Sequence, residues 1–235
     1  MPMVPPQKGI GEMTGKEQAS LAWREGMIPV STRFDDPYFS LAGGLEETRH
    51  VFLTGNDLPA RLTPGFHVAE LGFGTGLNLL ALHLCAPGVP LRYTTFEGFP
   101  MTAAEMARAH QAFPQAAAVA APLVHAWGQG ARSFTFHAIA VTVIEGDVRQ
   151  TLPTWEGAAD AWFLDGFSPA KNPEMWNDDL MAQVARHTAP GGSFATYTAA
   201  GHVRRALTAA GFQVERRAGF GTKRHMSAGR FGGRT

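Results

Sequence analysis

From residue 66 onward, short apolar runs alternate with segments whose apolar positions recur every three or four residues, the marks of strands and helices in turn. The pattern predicts strands over 66–72, 91–97, 141–146, 160–165, 192–198 and 212–217. Helices are predicted over 76–86, 102–112, 174–188 and 200–210, with a further Ala-rich segment after Pro114. In the last helix Val203, Ala206, Leu207 and Ala210 share one face, and Gly211 stands where a C-terminal cap belongs. Strands and helices that alternate in this way build a mostly parallel sheet covered on both faces, an α/β fold. Residues 20–60 read differently. Trp23, Pro29, Val30, Phe34, Tyr38, Phe39 and the run Val51-Phe52-Leu53 before Gly55-Asn56 predict short strands and turns rather than a helix. The chain therefore divides into a lead-in over 1–19, an N-terminal β-rich extension over 20–60 that would cover a site, and a main domain over 61–235.

At 235 residues, with 45% hydrophobic and 17% charged side chains, the chain suits one large core. The formal net charge of zero hides an asymmetry: residues 199–235 carry a net +7 and the remainder a net −7. A basic end suggests that it meets an anion, of which nucleic acid is the commonest large one; a merely solvated basic face is the competing reading. Cys85 is alone, so no disulfide forms within the chain, and a reducing, cytoplasmic setting is expected. No apolar run suggests a signal peptide or a membrane span.

The stretch Val68-Ala69-Glu70-Leu71-Gly72-Phe73-Gly74-Thr75-Gly76-Leu77-Asn78 reads as a buried strand running into a glycine turn that opens a helix. Glycines at alternate positions permit positive φ and close approach of a ligand, and the helix start offers unpaired N–H groups. The spacing is G-x-G-x-G rather than the G-x-G-x-x-G of dinucleotide enzymes, which favours S-adenosylmethionine over NAD or FAD. A tight turn without a ligand is the competing reading. In open α/β sheets ligands lie beyond the carboxyl ends of the strands, and there the sequence places Glu70, Glu97, Asp147 and Asp165. Glu97 follows Gly72 by 25 residues, about the interval at which an acid meets ribose hydroxyls. Asp147 could accept from an adenine amino group. Each acid alone could equally cap a helix.

Asp165 opens a second motif, Asp165-Gly166-Phe167-Ser168-Pro169-Ala170-Lys171-Asn172-Pro173-Glu174-Met175-Trp176, in which one glycine and two prolines fix a loop. A carboxylate there could hold an amine by a charge-assisted hydrogen bond and take its proton. Tyr38, Phe39, Phe167 and Trp176 could stack on a base, although core packing accounts for aromatic residues as readily. The nine histidines are scattered and one cysteine cannot build a zinc site, so metal catalysis has little support.

Phe34 to Ser40, Gly44 to Arg49, Val51 to Leu53, the glycine turn, Asp165 to Trp176, Ala195 to Thr198, Val203-Arg204-Arg205 and Gly219 to Arg224 closely resemble the methyltransferase domain of the MnmC family, from about Leu21 to Arg230. The resemblance implies a class I, Rossmann-like methyltransferase fold with S-adenosylmethionine as donor. It implies as acceptor the primary amine of 5-aminomethyl-2-thiouridine at the tRNA wobble position, giving 5-methylaminomethyl-2-thiouridine. It further implies that Glu70, Gly72, Phe73, Gly74, Thr75, Gly76, Asn78, Glu97, Asp147 and Asp165 hold the cofactor, with Asp165 catalytic. Tyr38, Phe39, Phe167, Lys171, Asn172, Trp176, Arg204, Arg205, Lys223 and Arg224 would meet the tRNA. Bifunctional members add an FAD-dependent oxidoreductase domain that this length does not accommodate, so the chain looks MnmD-like, with FAD expected only on a separate partner enzyme. Glu97 is followed by Gly98 where the family commonly has Lys, and Ser168 replaces Ala. A methyltransferase for another amine, an NAD-dependent oxidoreductase and a non-catalytic tRNA-binding module are the alternatives.

Overall fold

A computed structural model describes residues 18–40 and 43–233. All but the end of the expected lead-in, together with Arg234 of the basic segment, lies outside the described residues. β1 (Leu21–Arg24), β2 (Ile28–Ser31) and β3 (Asp36–Pro37) pair in that order as a small antiparallel sheet. Next comes a helical run: α1 (Gly44–Thr48), a π turn over Arg49–Leu53 and a 3-10 turn over Thr54–Asn56. The strand expected at Val51-Phe52-Leu53 is therefore helical. All three side chains are buried, because this run lies between neighbouring elements on more than one side, and three consecutive apolar residues carry no period to distinguish the two structures.

The main sheet is built from β4 (His67–Leu71), β5 (Leu91–Glu97), β6 (Ser133–Phe136), β7 (Ile139–Glu145), β8 (Ala159–Leu164), β9 (Thr188–Thr196), β10 (Phe212–Ala218) and β11 (His225–Phe231). Between the strands lie α2 (Leu77–Cys85), α3 (Ala103–His110), α4 (Pro114–Ala117), α5 (Ala121–Gly128), α6 (Val148–Thr151), α7 (Asp178–Arg186) and α8 (Gly201–Ala209). Strand order is β10-β11-β9-β8-β4-β5-β7-β6; the five central strands β9, β8, β4, β5 and β7 run parallel, and the outer pairings are antiparallel. β6 and β11 have no counterpart in the sequence prediction. At the centre of β11, Ser227-Ala228-Gly229 lacks the β-branched residues that mark strands, because the neighbours leave no room: a Cβ at Gly229 would stand 2.5 Å from the Gln213 carbonyl and 2.6 Å from the Phe194 ring. The helix expected over 174–188 is a 3-10 turn over Pro173–Trp176 followed by α7, which Asn177 caps by accepting from the Leu180 N–H at 2.8 Å.

Each face of the sheet carries its own core. Val68, Tyr93, Val141 and Phe163 pack with Leu79 and Leu80 of α2, while Ala69, Leu71, Phe96, Trp162 and Leu164 pack with α7 and α8. Alternation along β4 sends Glu70 to the same side as Val68, toward α2, with no exposure to solvent. No helix among the described residues is long and apolar enough to cross a membrane.

Candidate active site

β4 sits where the sheet changes direction: the chain leaves it outward through β5 to β7, then returns on its other side at β8. A crevice opens at the carboxyl ends of two such strands, and here it is a cavity of about 940 Å³. Gly72, Gly74 and Gly76 all have positive φ, at 83°, 53° and 74°. A Cβ at Gly72 would approach the Asp165 carbonyl at 3.2 Å and one at Gly74 the Tyr38 ring at 3.0 Å, so the turn is pressed between two walls of the cavity. Gly72, Phe73, Gly74 and Thr75 line it; Gly76 faces Leu123 and Phe73 instead.

Glu97 ends β5 and ties the first two strand ends together. Its Oε2 accepts from the Gly74 N–H at 2.8 Å and its Oε1 from the Phe99 N–H at 2.6 Å. Burial pushes its carboxyl up, and the backbone N–H groups oppose that rise. Asp147 caps α6 through the Arg149 N–H at 2.9 Å. Its carboxylate also pairs with the Arg149 guanidinium at 2.5 Å, which holds it below the usual carboxylate range. Arg149 reaches Glu174 at 2.6 Å as well, a link between two walls of the cavity that sequence reasoning did not single out.

On the other side of β4, Asp165 lines the cavity. Its Oδ1 accepts from the Gly166 N–H at 2.9 Å and its Oδ2 from the Asn78 amide at 2.9 Å. The same Asn78 nitrogen donates to Glu70 Oε1 at 2.7 Å, and the Thr95 hydroxyl donates to Glu70 Oε2 at 2.8 Å. Burial pushes Asp165 up to about 6 and Glu70 up to about 8. Glu70, placed by the sequence among cofactor contacts, lies behind the cavity wall because its position in β4 turns it into the core.

The N-terminal segment lines another wall of the cavity. Phe34 stacks on Phe167 with centroids 4.6 Å apart, and Tyr38 meets Phe167 edge-on at 5.0 Å. Asp35 pairs with Lys171 at 2.6 Å, and Asp36 accepts from the Ser168 N–H at 2.8 Å. Tyr38, Phe39, Phe167, Lys171 and Asn172 line the cavity. Trp176 does not: it is buried, and its indole N–H donates to the Phe167 carbonyl at 2.9 Å as a strut beneath the loop. On the remaining wall Lys223 pairs with Glu47 at 2.8 Å and lies 4.3 Å above the Tyr197 ring, while the Tyr197 hydroxyl donates to the Gly166 carbonyl at 2.7 Å. Arg204, Arg205 and Arg224 stand away from the cavity, on α8 and before β11. Glu47 and Tyr197 were not singled out as site residues.

The family model for S-adenosyl-L-methionine-dependent methyltransferase matches residues 114–231. The chain belongs to this methyltransferase family. It is 46% identical over 231 residues to the tRNA 5-methylaminomethyl-2-thiouridine biosynthesis bifunctional protein MnmC of Caulobacter sp. (strain K31), covering 90% of this chain and 38% of that protein. The MnmC protein of Chromobacterium violaceum is 45% identical over 226 residues, covering 90% of this chain and 34% of that protein. The chain thus spans little more than a third of the length of these curated relatives. The crystal structure of MNMC2 from Aquifex aeolicus has the same fold, with TM-score 0.69 and 21% identity over 88% of this chain and 67% of that one. Precorrin-6y C5,15-methyltransferase of Geobacter metallireducens matches with TM-score 0.50 and 13% identity over 89% and 98% of the two chains.

The site of this methyltransferase fits its cofactor. The glycine turn is a cradle that any Cβ at Gly72 or Gly74 would fill, and Glu97 offers a fixed carboxylate beside it for hydroxyl donors. The cavity is large enough for a nucleoside-sized donor together with an acceptor group. Asp165 borders the same space with a basicity suited to taking a proton near neutral pH.

Proposed function

We propose that this methyltransferase N-methylates the primary amine of 5-aminomethyl-2-thiouridine at the tRNA wobble position. The observation that carries the reading is Asp165, a carboxyl of raised basicity on the wall of the cavity that contains the glycine cradle and Glu97. The names of the MnmC relatives, which match 90% of this chain, support the choice of acceptor.

Gly72, Phe73, Gly74, Thr75, Asn78, Glu97 and Asp147 hold the cofactor, with Glu97 receiving ribose hydroxyls and Asp147 the adenine end. Bound S-adenosylmethionine supplies an electrophilic methyl group whose carbon–sulfur electron pair stays with sulfur when the methyl leaves. An alkylamine is mostly protonated at neutral pH, so the chain's main tasks are to align the amine and to remove its proton. Asp165 accepts that proton. Tyr38, Phe39, Phe167 and Asn172 flank the modified base, and Lys171 and Lys223 stand at the edges of the opening. Arg204, Arg205 and Arg224, outside the cavity, meet phosphates farther along the tRNA. Residues 20–60 serve as the cover of the site. The aminomethyl group comes from an FAD-dependent oxidoreductase activity, and the enzyme works in the cytoplasm.

The test is methyl transfer from labelled S-adenosylmethionine to tRNA taken from cells that lack the modification, followed by nucleoside analysis. Label on 5-methylaminomethyl-2-thiouridine is the expected result. Cofactor binding with no label on tRNA would move the search to other amines.

A further inference from the structure

One nitrogen holds two carboxyls, Glu70 in the core and Asp165 on the cavity wall. The Asn78 amide donates one hydrogen to Glu70 Oε1 at 2.7 Å and the other to Asp165 Oδ2 at 2.9 Å. Glu70 has no exposed surface, and among the described residues no cation is paired with it. On β5 the Thr95 hydroxyl donates to Glu70 Oε2 at 2.8 Å and the Tyr93 phenol lies beside it; both favour the ionised form, and complete burial outweighs them. Two carboxylates that share one donor, one of them wholly buried with no cation beside it, do not both stay ionised, so the pair retains a proton. Geometry decides which member keeps it. Asp165 borders the cavity, receives the Gly166 N–H and feels Lys223 from the β10–β11 loop; Glu70 has none of these. The other groups facing Asp165 are Glu47 from α1, Tyr93 from β5 and Tyr197 after β9, and none of them supplies a positive charge.

We infer that Glu70 is a positioning residue that works as a neutral carboxylic acid: through Asn78 it orients Asp165 as the ionised base and makes no contact with the cofactor. The inference rests on the proposed amine methylation for its catalytic consequence, but the protonation state and the lack of cofactor contact stand apart from it. With Glu70 neutral, Asn78 can turn both hydrogens toward carboxyl oxygens without bringing two anions together, and Asp165 is left with one charge-stabilising side-chain bond. An ionised Glu70 would press its charge on Asp165 and raise that residue's proton affinity.

The test uses Glu70→Ala, Glu70→Gln and Asn78→Leu in the full chain. Gln has the shape and neutrality of a protonated Glu, so Glu70→Gln restores most of the kcat that Glu70→Ala loses, an expected recovery of about tenfold. Calorimetry should show S-adenosylmethionine binding to Glu70→Gln within about threefold of wild type; a charged cofactor contact would instead cost about tenfold or more and overturn the inference. The infrared difference between wild type and Glu70→Gln should contain a protonated-carboxyl C=O band at neutral pH that fades as pH rises past about 8. Absence of that band overturns it. Asn78→Leu removes a hydrogen bond that favours ionised Asp165, so the acid limb of the kcat profile should move to higher pH; an unmoved limb removes Asn78 from the positioning role. If wild type fails to methylate tRNA, the proposed acceptor falls, while calorimetry and the infrared band still decide the state of Glu70.

Discussion

The two sides of β4 hold their acids in opposite ways. Toward β5, Glu97 is fastened by two backbone N–H groups, those of Gly74 and Phe99. Toward β8, Asp165 has one backbone N–H and shares the Asn78 side-chain amide with Glu70. Backbone donors do not titrate or rotate away, so Glu97 is a fixed acceptor suited to gripping. A shared side-chain donor leaves proton affinity adjustable, and adjustable basicity is what proton removal needs. Under the proposed function, the contrast separates binding at the end of β5 from chemistry just after β8.

Removing Asp165 should break the comparison most severely. Asp165→Ala is expected to lower kcat by about 10³-fold while leaving cofactor affinity within about threefold, read by methyl transfer and calorimetry. Equal losses in rate and affinity would show that both sides serve binding. Glu97→Ala should do the reverse, weakening S-adenosylmethionine affinity by about 100-fold with a much smaller change in saturated kcat, because two N–H groups lose their acceptor and the glycine turn loses its anchor.

A smaller effect sharpens the contrast through stability. Burial raises Glu70 from 4.5 up to about 8, so the folded state binds its proton more tightly than the unfolded chain does. The stability gained from that proton is full below pH 4.5 and is lost as pH rises toward 8. Glu70→Gln lacks this dependence. Urea titrations should show wild type losing stability relative to Glu70→Gln by about 1 kcal/mol per pH unit across that window. Parallel curves for the two proteins would mean that Glu70 is ionised in the folded state.

The alternation from residue 66 onward was legible because buried parallel strands and helix faces each impose a period on the chain. The helical run over 44–56 was not, since Val51-Phe52-Leu53 is apolar without periodicity. β11 escaped because the tight fit around Gly229 selects small residues instead of strand formers. In the site, the glycine turn, Glu97 and Asp165 could be read from spacing, since each falls at a strand end. What could not be read was the direction in which a side chain points: Glu70 turns inward, and Trp176 supports Phe167 from below. Nor does spacing show which charges in the basic segment find partners. Lys223 meets Glu47, Arg230 meets Asp57, and Arg217 meets Asp57 and Glu215, so the segment presents fewer free cations than its composition suggests.

The Glu47–Lys223 pair joins a helix near the start of the chain to the loop between the last two strands. During synthesis the glycine turn, Glu97 and Asp165 all leave the ribosome before that loop exists. One wall of the pocket is therefore completed last, by a contact of very long sequence separation that gains nothing until the rest of the sheet is in place. A nascent chain can assemble the cradle early, yet a finished binding chamber appears only once the final hairpin has docked.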